Sequence, residues 1–280
     1  RRKMKELEFK NVIAVPFTPL VAGIIGTLGE SSTRYVCVDD YSQFEGAYRS
    51  VRALEQELLK KVDSCFAVSE PLMQTRRAQS GENHFLPQGV DTDHFCPMND
   101  LPPPELQSVA KPIVGFFGQL APYVDLELLV ECARAYPGVS FVVIGRAMAD
   151  VSVLSRAPNI TYIGEVPYER LPQYARAFDV GLNPRIANEL TNAMNPMKVM
   201  EYLSLGIPIV SSDFPEVRKF KDYVSIAGSR NHLVELVGAA LKDTGTERRE
   251  ARRNIAEQYS WNSITARVSD IIERIDGAKL

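Results

Sequence analysis

Short runs rich in β-branched and aromatic residues alternate with stretches of helical spacing along most of the chain. Strands are expected at residues 12–17, 35–38, 64–68 and 84–86, and, after a break, at 113–117, 140–144, 160–163, 180–182, 207–210 and 223–226. Most of these runs are continuously apolar rather than alternating. Strands buried on both faces read this way, so a parallel sheet covered by helices is expected. In the interval 44–62 apolar residues fall at Val51, Leu54, Leu58, Leu59 and Val62, which share one helical face. Ser69 reads as the N-cap of the next helix, with Pro71 in its first turn. Residues 126–135, 170–178, 195–205 and 232–241 repeat the rhythm. The strand–helix alternation predicts a doubly wound α/β fold.

Residues 97–112 break the pattern. They hold Pro97, Pro102, Pro103, Pro104 and Pro112 and no strand signal, so they are read as a stiff linker. A domain boundary is placed there: a first, incomplete domain over 1–97, a linker over 98–112, and a complete six-strand unit over 113–260. Two helices follow one another at the end, 247–258 and 261–276. The second carries Ile264, Val268, Ile271, Ile272 and Ile275 on one face, with Ser260 or Asn262 as its cap. It is expected to cross back and brace the first domain, anchored by Trp261.

Composition narrows the function classes. The chain has 280 residues, 45% hydrophobic and 24% charged, which is ordinary globular composition and argues against disorder. A net charge of −3 gives no nucleic-acid footprint. The basic clusters at 1–5 and 248–253 are read as solvated helix faces, with weak attraction to an anionic membrane surface as the sharper alternative. Cys37, Cys65 and Cys132 lie in apolar runs and outside any CxxC pair, as expected of buried thiols in a reducing, cytoplasmic compartment. Three scattered histidines do not suggest a zinc site. No signal peptide or run of eighteen apolar residues is present, so peripheral contact with the inner membrane face is the only membrane association expected. The chain opens without an initiator Met and is read as a fragment or processed chain.

The strongest local signal for chemistry lies at 195–212. Asn195 suits an N-cap, Pro196 the first helical position, Gly206 a helix end, and Pro208 prevents continuation. Lys198 and Glu201 are three residues apart and share a face. A helix N-terminus offers free N–H groups and a positive dipole end, which favour phosphate, and Lys198 adds a full charge. Glu201 can accept from two ribose hydroxyls. Spacing alone favours an ordinary amphipathic helix with a surface Lys–Glu pair.

The stretch Asn195-Pro-Met-Lys198-Val-Met-Glu201-Tyr-Leu-Ser-Leu-Gly206-Ile-Pro-Ile-Val210 resembles the donor-site helix of GT-B glycosyltransferases, in particular family-4-like bacterial polysaccharide enzymes. The resemblance covers most of the chain and implies two Rossmann-like domains, the first on the acceptor side and N-terminally shortened, the second binding a nucleotide-sugar. It implies that Glu201 binds the ribose and Lys198 the diphosphate, with Asn195 at the phosphate end. Many family members carry Glu-x7-Glu, but the earlier position here is Ala193. Val114-Gly-Phe-Phe-Gly118 resembles the strand and turn that open the donor domain, although Gln119 and Leu120 stand where an Arg and a Lys are frequent. Phosphate charge then falls to Lys198 with Arg146 or Arg185. Arg146, which ends the run 142–146, also fits a plain surface arginine. Ile163-Gly164-Glu-Val166-Pro167 resembles a loop that reads the nucleobase through backbone groups, and it also fits a simple turn.

In the first half, Asp39 and Asp40 end a strand where a carboxylate faces the reacting sugar in related enzymes. Either could act as a general base toward an acceptor hydroxyl, and either could cap the following helix. Asp91 and Asp93 are read as structural caps. No metal is expected: charge on the leaving diphosphate would be met by Lys, Arg and helix N–H groups. The implied activity is sugar transfer from a UDP- or GDP-sugar to a glycan or lipid-linked acceptor in polysaccharide or glycolipid synthesis, with no cofactor beyond the donor. A nucleotide-sugar-binding module without transfer, and a GT-B-fold epimerase, are the alternatives. A dinucleotide oxidoreductase is disfavoured because no GxGxxG follows any strand.

Overall fold

The computed structural model describes residues 2–98 and 101–277, and contacts divide them into two compact units. The first comprises residues up to Pro87 together with Asn192–Asn195; the second comprises Gln88–Thr191 and the chain from Pro196 onward.

The first unit carries a four-stranded parallel sheet of β1 (Ile13–Ala14), β2 (Ser32–Cys37), β3 (Ser64–Ala67) and β4 (Glu82–Phe85), paired in that order. The helix Val51–Lys61 connects β2 to β3, and the helix Glu70–Thr75 connects β3 to β4. Ser69 caps the second of these by accepting from the Leu72 N–H. The helix expected over 44–62 starts late. Gly46 takes a left-handed φ of 76°, and Phe44 is extended, so only the portion from Val51 onward continues as helix. Tyr35, Cys37, Leu58, Cys65 and Leu72 form the core of this unit, which confirms the burial expected of those two thiols.

The second unit carries a six-stranded parallel sheet ordered β10-β9-β8-β5-β6-β7. Its strands are β5 (Ile113–Phe117), β6 (Ser140–Ile144), β7 (Ile160–Gly164), β8 (Val180–Asn183), β9 (Ile209–Ser212) and β10 (Ser225–Ala227). Side chains alternate between faces along a strand, and both faces are covered. Ile113, Phe117, Val142 and Ile144 pack into one core with the helix Met197–Leu205, while Val114, Phe116, Phe141 and Val143 pack into the other with the helix Leu126–Ala135. Cys132 is fully buried in the latter.

The compact units divide at Pro87/Gln88 rather than within 97–112. Val90, Phe95 and Leu106 are buried in the same core as Ile113 and Phe117, so the proline-rich stretch is packed onto the second unit instead of spacing two domains. Residues 99 and 100 of the expected linker lie outside the described residues. The terminal helix Trp261–Gly277 also groups with the second unit. The Val90 N–H donates to Tyr259 O and the Trp261 N–H to Val90 O, while the indole covers Gly89 so closely that an added Cβ would lie 2.6 Å from the ring. Ser260 rather than Asn262 caps this helix, accepting from the Ser263 N–H at 3.2 Å. Among the described residues no helix is long and apolar enough to cross a membrane.

Candidate functional site

The chain direction reverses at β5. From β5 it moves outward to β6 and β7, then returns to place β8 on the other side of β5. In an open parallel sheet, loops beyond the strand ends part at such a point and leave a crevice. Gly118 follows β5 on one side of it, and the helix Met197–Leu205, which follows β8, lies on the other.

Backbone bonds tie the loops of this edge together. The Gly118 N–H donates to Ile144 O at 2.9 Å, the Leu120 N–H to Arg146 O at 2.9 Å, the Met148 N–H to Leu120 O at 3.1 Å, and the Gly145 N–H to Gly164 O at 2.7 Å. Gly145 has φ 143°, and an added Cβ there would meet Gly118 O at 2.0 Å, so the two loops approach as closely as they do only because that position is glycine.

Lys198 fills the space that Gly118 leaves. A Cβ on Gly118 would stand 2.2 Å from Lys198 Cε and 2.4 Å from Nζ. The ammonium also sits 5.4 Å from the centroid of the Phe116 ring, within cation–π range. One turn along the helix, Glu201 is buried to 9% exposure. Among the described residues neither the Lys198 ammonium nor the Glu201 carboxylate makes a hydrogen bond or ion pair. Burial pushes the Lys198 amine well below the usual lysine range; the Arg185 charge adds to this and Glu201 acts against it. Burial likewise pushes the Glu201 carboxyl up, opposed by Lys198.

The helix start differs from expectation. Pro196, not Asn195, occupies the cap position, and no side chain caps the helix. Asn195 is drawn into the first unit, where its Nδ2 donates to Val68 O at 2.9 Å and its Oδ1 is buried without a hydrogen-bond partner. The first amides of Met197–Leu205 are therefore left without a side-chain acceptor, the condition in which a helix N-terminus favours an anion.

Arg185, just beyond β8, is half-buried and rigidly placed. Its N–H donates to Ser212 Oγ at 2.9 Å, its Nε donates to Asn183 Oδ1 at 3.3 Å, and its guanidinium lies over the Tyr123 ring at 4.9 Å. Asn183 is itself buried and donates to Ser211 Oγ at 2.9 Å. Arg146 contributes its carbonyl to the loop zipper while its side chain is exposed. Gly164 ends β7 and Val166 lies on the loop after it; nothing stands within 4 Å of where a Gly164 Cβ would be, and Val166 packs partly into the core. The second unit thus brings Gly118, Arg185, Lys198 and Glu201 to one corner.

The two aspartates at the end of β2 have separate fates. Asp40 is buried and caps the 3-10 turn Tyr41–Gln43, accepting from Ser42 Oγ at 2.6 Å, and pairs with Arg76 at 2.6 Å. Burial alone would raise its carboxyl, but Ser42 and Arg76 outweigh that and hold it below the usual range. Arg76 also pairs with Glu55, which accepts from the Tyr35 hydroxyl at 2.8 Å. Asp40 is thereby the capping member of the pair. Asp39 is half-buried.

Sequence reasoning passed over Asn183, Tyr123 and Ser212, which hold Arg185. A polar residue inside an apolar strand, as at Asn183, was the available signal.

A pair of helix-covered parallel sheets, the second with a lysine and a carboxylate at its switch point, is the GT-B architecture. Solved structures agree. Sucrose-phosphate synthase from Thermosynechococcus elongatus matches with a TM-score of 0.73 at 14% identity, covering 99% of this chain and 77% of that one. Anabaena HepE in complex with UDP and glucose matches with a TM-score of 0.74 at 15% identity, covering 97% and 80%. Residues 124–272 match the family model described as glycosyl transferase-like, and the chain belongs to that family. It is also 27% identical over 228 residues to a protein of Bacillus subtilis (strain 168) that carries the name teichuronic acid biosynthesis glycosyltransferase TuaH. That alignment takes in 76% of this chain, and the chain spans 57% of the length of that relative.

Proposed function

We propose that the protein transfers a sugar from a nucleoside-diphosphate sugar, a UDP-sugar in the first instance, to an acceptor hydroxyl in cell-surface polysaccharide or glycolipid synthesis. The observation that carries this is the Lys198 ammonium, seated where Gly118 lacks a side chain, beside an uncapped helix N-terminus and one turn before Glu201. The diphosphate binds at Lys198 and the helix amides, with Arg185 adjacent, and the ribose hydroxyls bind at Glu201. When the bond from the sugar's anomeric carbon to the phosphate oxygen breaks, charge gathers on the leaving diphosphate, where these groups are already oriented. Asp39 is the proposed base for the acceptor hydroxyl proton. Arg146, Gly164 and Val166 complete the proposed donor side. HepE, solved with UDP and glucose, and the name of the Bacillus relative support the choice of donor and of polysaccharide synthesis.

The test is UDP release from UDP-sugars with and without a lipid-linked or glycan acceptor. Release that rises with acceptor supports transfer. Saturable UDP binding without release points instead to a binding module, and no binding of UDP or GDP overturns the reading. Replacing Glu201 with Ala is expected to weaken UDP binding at least about tenfold, the effect of losing one or two hydrogen bonds to a charged group. Unchanged affinity removes Glu201 from the ribose.

A pH dependence follows from the burial of Lys198. Its ammonium exists only below a depressed pKa, and a bound diphosphate draws that pKa back up. UDP affinity is therefore expected to fall as pH rises from neutral, and binding near pH 8, where the terminal phosphate is already ionised, to take up protons. Glu201, whose carboxyl is pushed up in the same corner, is replaced by Gln so that the exchange reports Lys198 alone; calorimetry of that variant in two buffers of different ionisation enthalpy measures the uptake, and zero uptake means that Lys198 does not change protonation on binding.

A further inference from the structure

One arginine of the first unit holds three groups at once. The helix Glu70–Thr75 ends at Arg76, whose backbone N–H donates to Leu72 O at 2.7 Å. Arg77 beside it is exposed, whereas the Arg76 side chain turns inward and keeps only 15% of its surface. Each guanidinium nitrogen has its own partner. Nε donates to Glu55 Oε2 at 3.1 Å, Nη1 donates to Thr75 Oγ1 at 2.8 Å, and Nη2 pairs with Asp40 Oδ2 at 2.6 Å. Burial works against this cation, and Glu55 and Asp40 outweigh it. A lysine ammonium on its flexible stem does not reproduce such a planar fork.

The partners converge on the loop after β2. That loop leaves the carboxyl end of a parallel strand, the end where open α/β sheets bind ligands. The Cys37 thiol lies 3.7 Å from Glu55 Oε1 and 3.7 Å from the carbonyl oxygen of Asp39. The Tyr41 hydroxyl donates to Phe17 O at 2.7 Å. Three successive residues are therefore tied down: Asp39 through its carbonyl, Asp40 through its carboxylate and Tyr41 through its hydroxyl. The backbone that carries Asp39 turns only if the buried Arg76–Asp40 pair breaks, which is strongly unfavourable because it leaves a charge buried without its partner. An apolar side chain of similar volume would stabilise a core as well as this ion pair does. What the pair adds is a fixed geometry for the loop.

We propose that Arg76 is a positioning residue for sugar transfer: by holding Asp40 beside Glu55 it fixes the backbone of Asp39, so that the Asp39 carboxylate meets the acceptor hydroxyl in one orientation. This rests on the reading of Asp39 as the base given above. Misplacing a reacting group by about 1 Å costs rate, by as much as about a hundredfold.

The experiment measures UDP release from UDP-glucose with octyl glucoside as acceptor, UDP affinity and melting temperature, all on the full chain. Arg76→Lys keeps the charge and loses the fork. It is expected to lower kcat about tenfold or more, with KM for UDP-glucose and UDP affinity unchanged. Arg77→Ala is expected to behave as the wild type. Asp39→Asn is expected to lose more than Arg76→Lys, and the double variant to lose nothing beyond Asp39→Asn alone, because Arg76 acts through Asp39. Should Arg76→Lys melt below the assay temperature, Asp40→Asn carries the same expectations, since it keeps an acceptor for Ser42 and removes the ion pair. A wild-type kcat in the folded variant overturns the proposal. So does a further loss on top of Asp39→Asn, or unfolding of both Arg76→Lys and Asp40→Asn, either of which makes the arginine a brace of the unit as a whole. If Asp39→Asn loses transfer while Arg76→Lys does not, this inference fails and the base reading stands. If Asp39→Asn transfers as the wild type does, or the wild type releases no UDP, the base reading fails and this inference with it.

Discussion

Lys198→Met is expected to reduce UDP affinity by about tenfold to a hundredfold, the range of losing a charge-assisted hydrogen bond to phosphate. Methionine keeps the unbranched shape that fills the gap at Gly118 and removes only the charge, so the fold is expected to hold. Stability should even rise slightly, because the buried ammonium has no ion-pair partner among the described residues and its burial is unfavourable. Sugar transfer should fall further than binding, since charge accumulates on the diphosphate as the donor bond breaks. Isothermal titration with UDP, thermal denaturation and acceptor-dependent UDP release measure the three effects. A variant that binds UDP as the wild type does would place the diphosphate elsewhere in the second unit.

Gly118→Ala is expected to act on the same amine from the opposite side. Two costs add. The backbone sits at φ 124°, where a Cβ is strained by about 1–3 kcal/mol. The new methyl would also overlap Lys198 Cε at 2.2 Å and Nζ at 2.4 Å. The clash is with the far end of a flexible side chain, so it is relieved by swinging Lys198 out of the corner rather than by breaking the sheet. A melting temperature lower by a few degrees is expected, at roughly 2–4 °C per kcal/mol for a domain of this size. UDP affinity is expected to fall about as far as in Lys198→Met. The double variant should bind UDP no more weakly than Lys198→Met alone, because both changes remove one amine. Full additivity would show that Gly118 touches the nucleotide by its own backbone.

Much of the fold was legible because burial leaves a local trace. β5, β6 and the helix Leu126–Ala135 lie on the residues expected of them, since each is an uninterrupted apolar run or a clear helical stripe. β9 begins at Ile209 rather than at residue 207, because Gly206 ends the helix in a left-handed conformation and Ile207-Pro208 complete the turn. Asn195 misled for a related reason. Its side chain is a good cap in isolation, but a tertiary acceptor, Val68 O, competes for the amide and leaves Pro196 at the cap. The boundary was misplaced because prolines signal a stiff segment without saying whether it is packed; Phe95 and Leu106 bury it.

At the site, spacing placed Lys198 and Glu201 on one helical face and left open whether that face met solvent or a crevice. The same local rules could not distinguish Asp39 from Asp40. Arg76, contributed by a distant turn, makes that distinction by pairing with Asp40.

The sequence by itself determined the order of strands and helices, most of the residues on their buried sides, and that an amine and a carboxylate stand one turn apart near a helix start. These are short-range consequences of periodicity, set by neighbours three or four positions away. Only the tertiary structure decided that Lys198 occupies the missing side chain of Gly118 and that Arg185 is held by Asn183 and Ser212. Those meetings depend on strand order and on which loops converge beyond the ends of β5, β6, β7 and β8. No local pattern encodes that convergence, because it exists only once the sheet has packed.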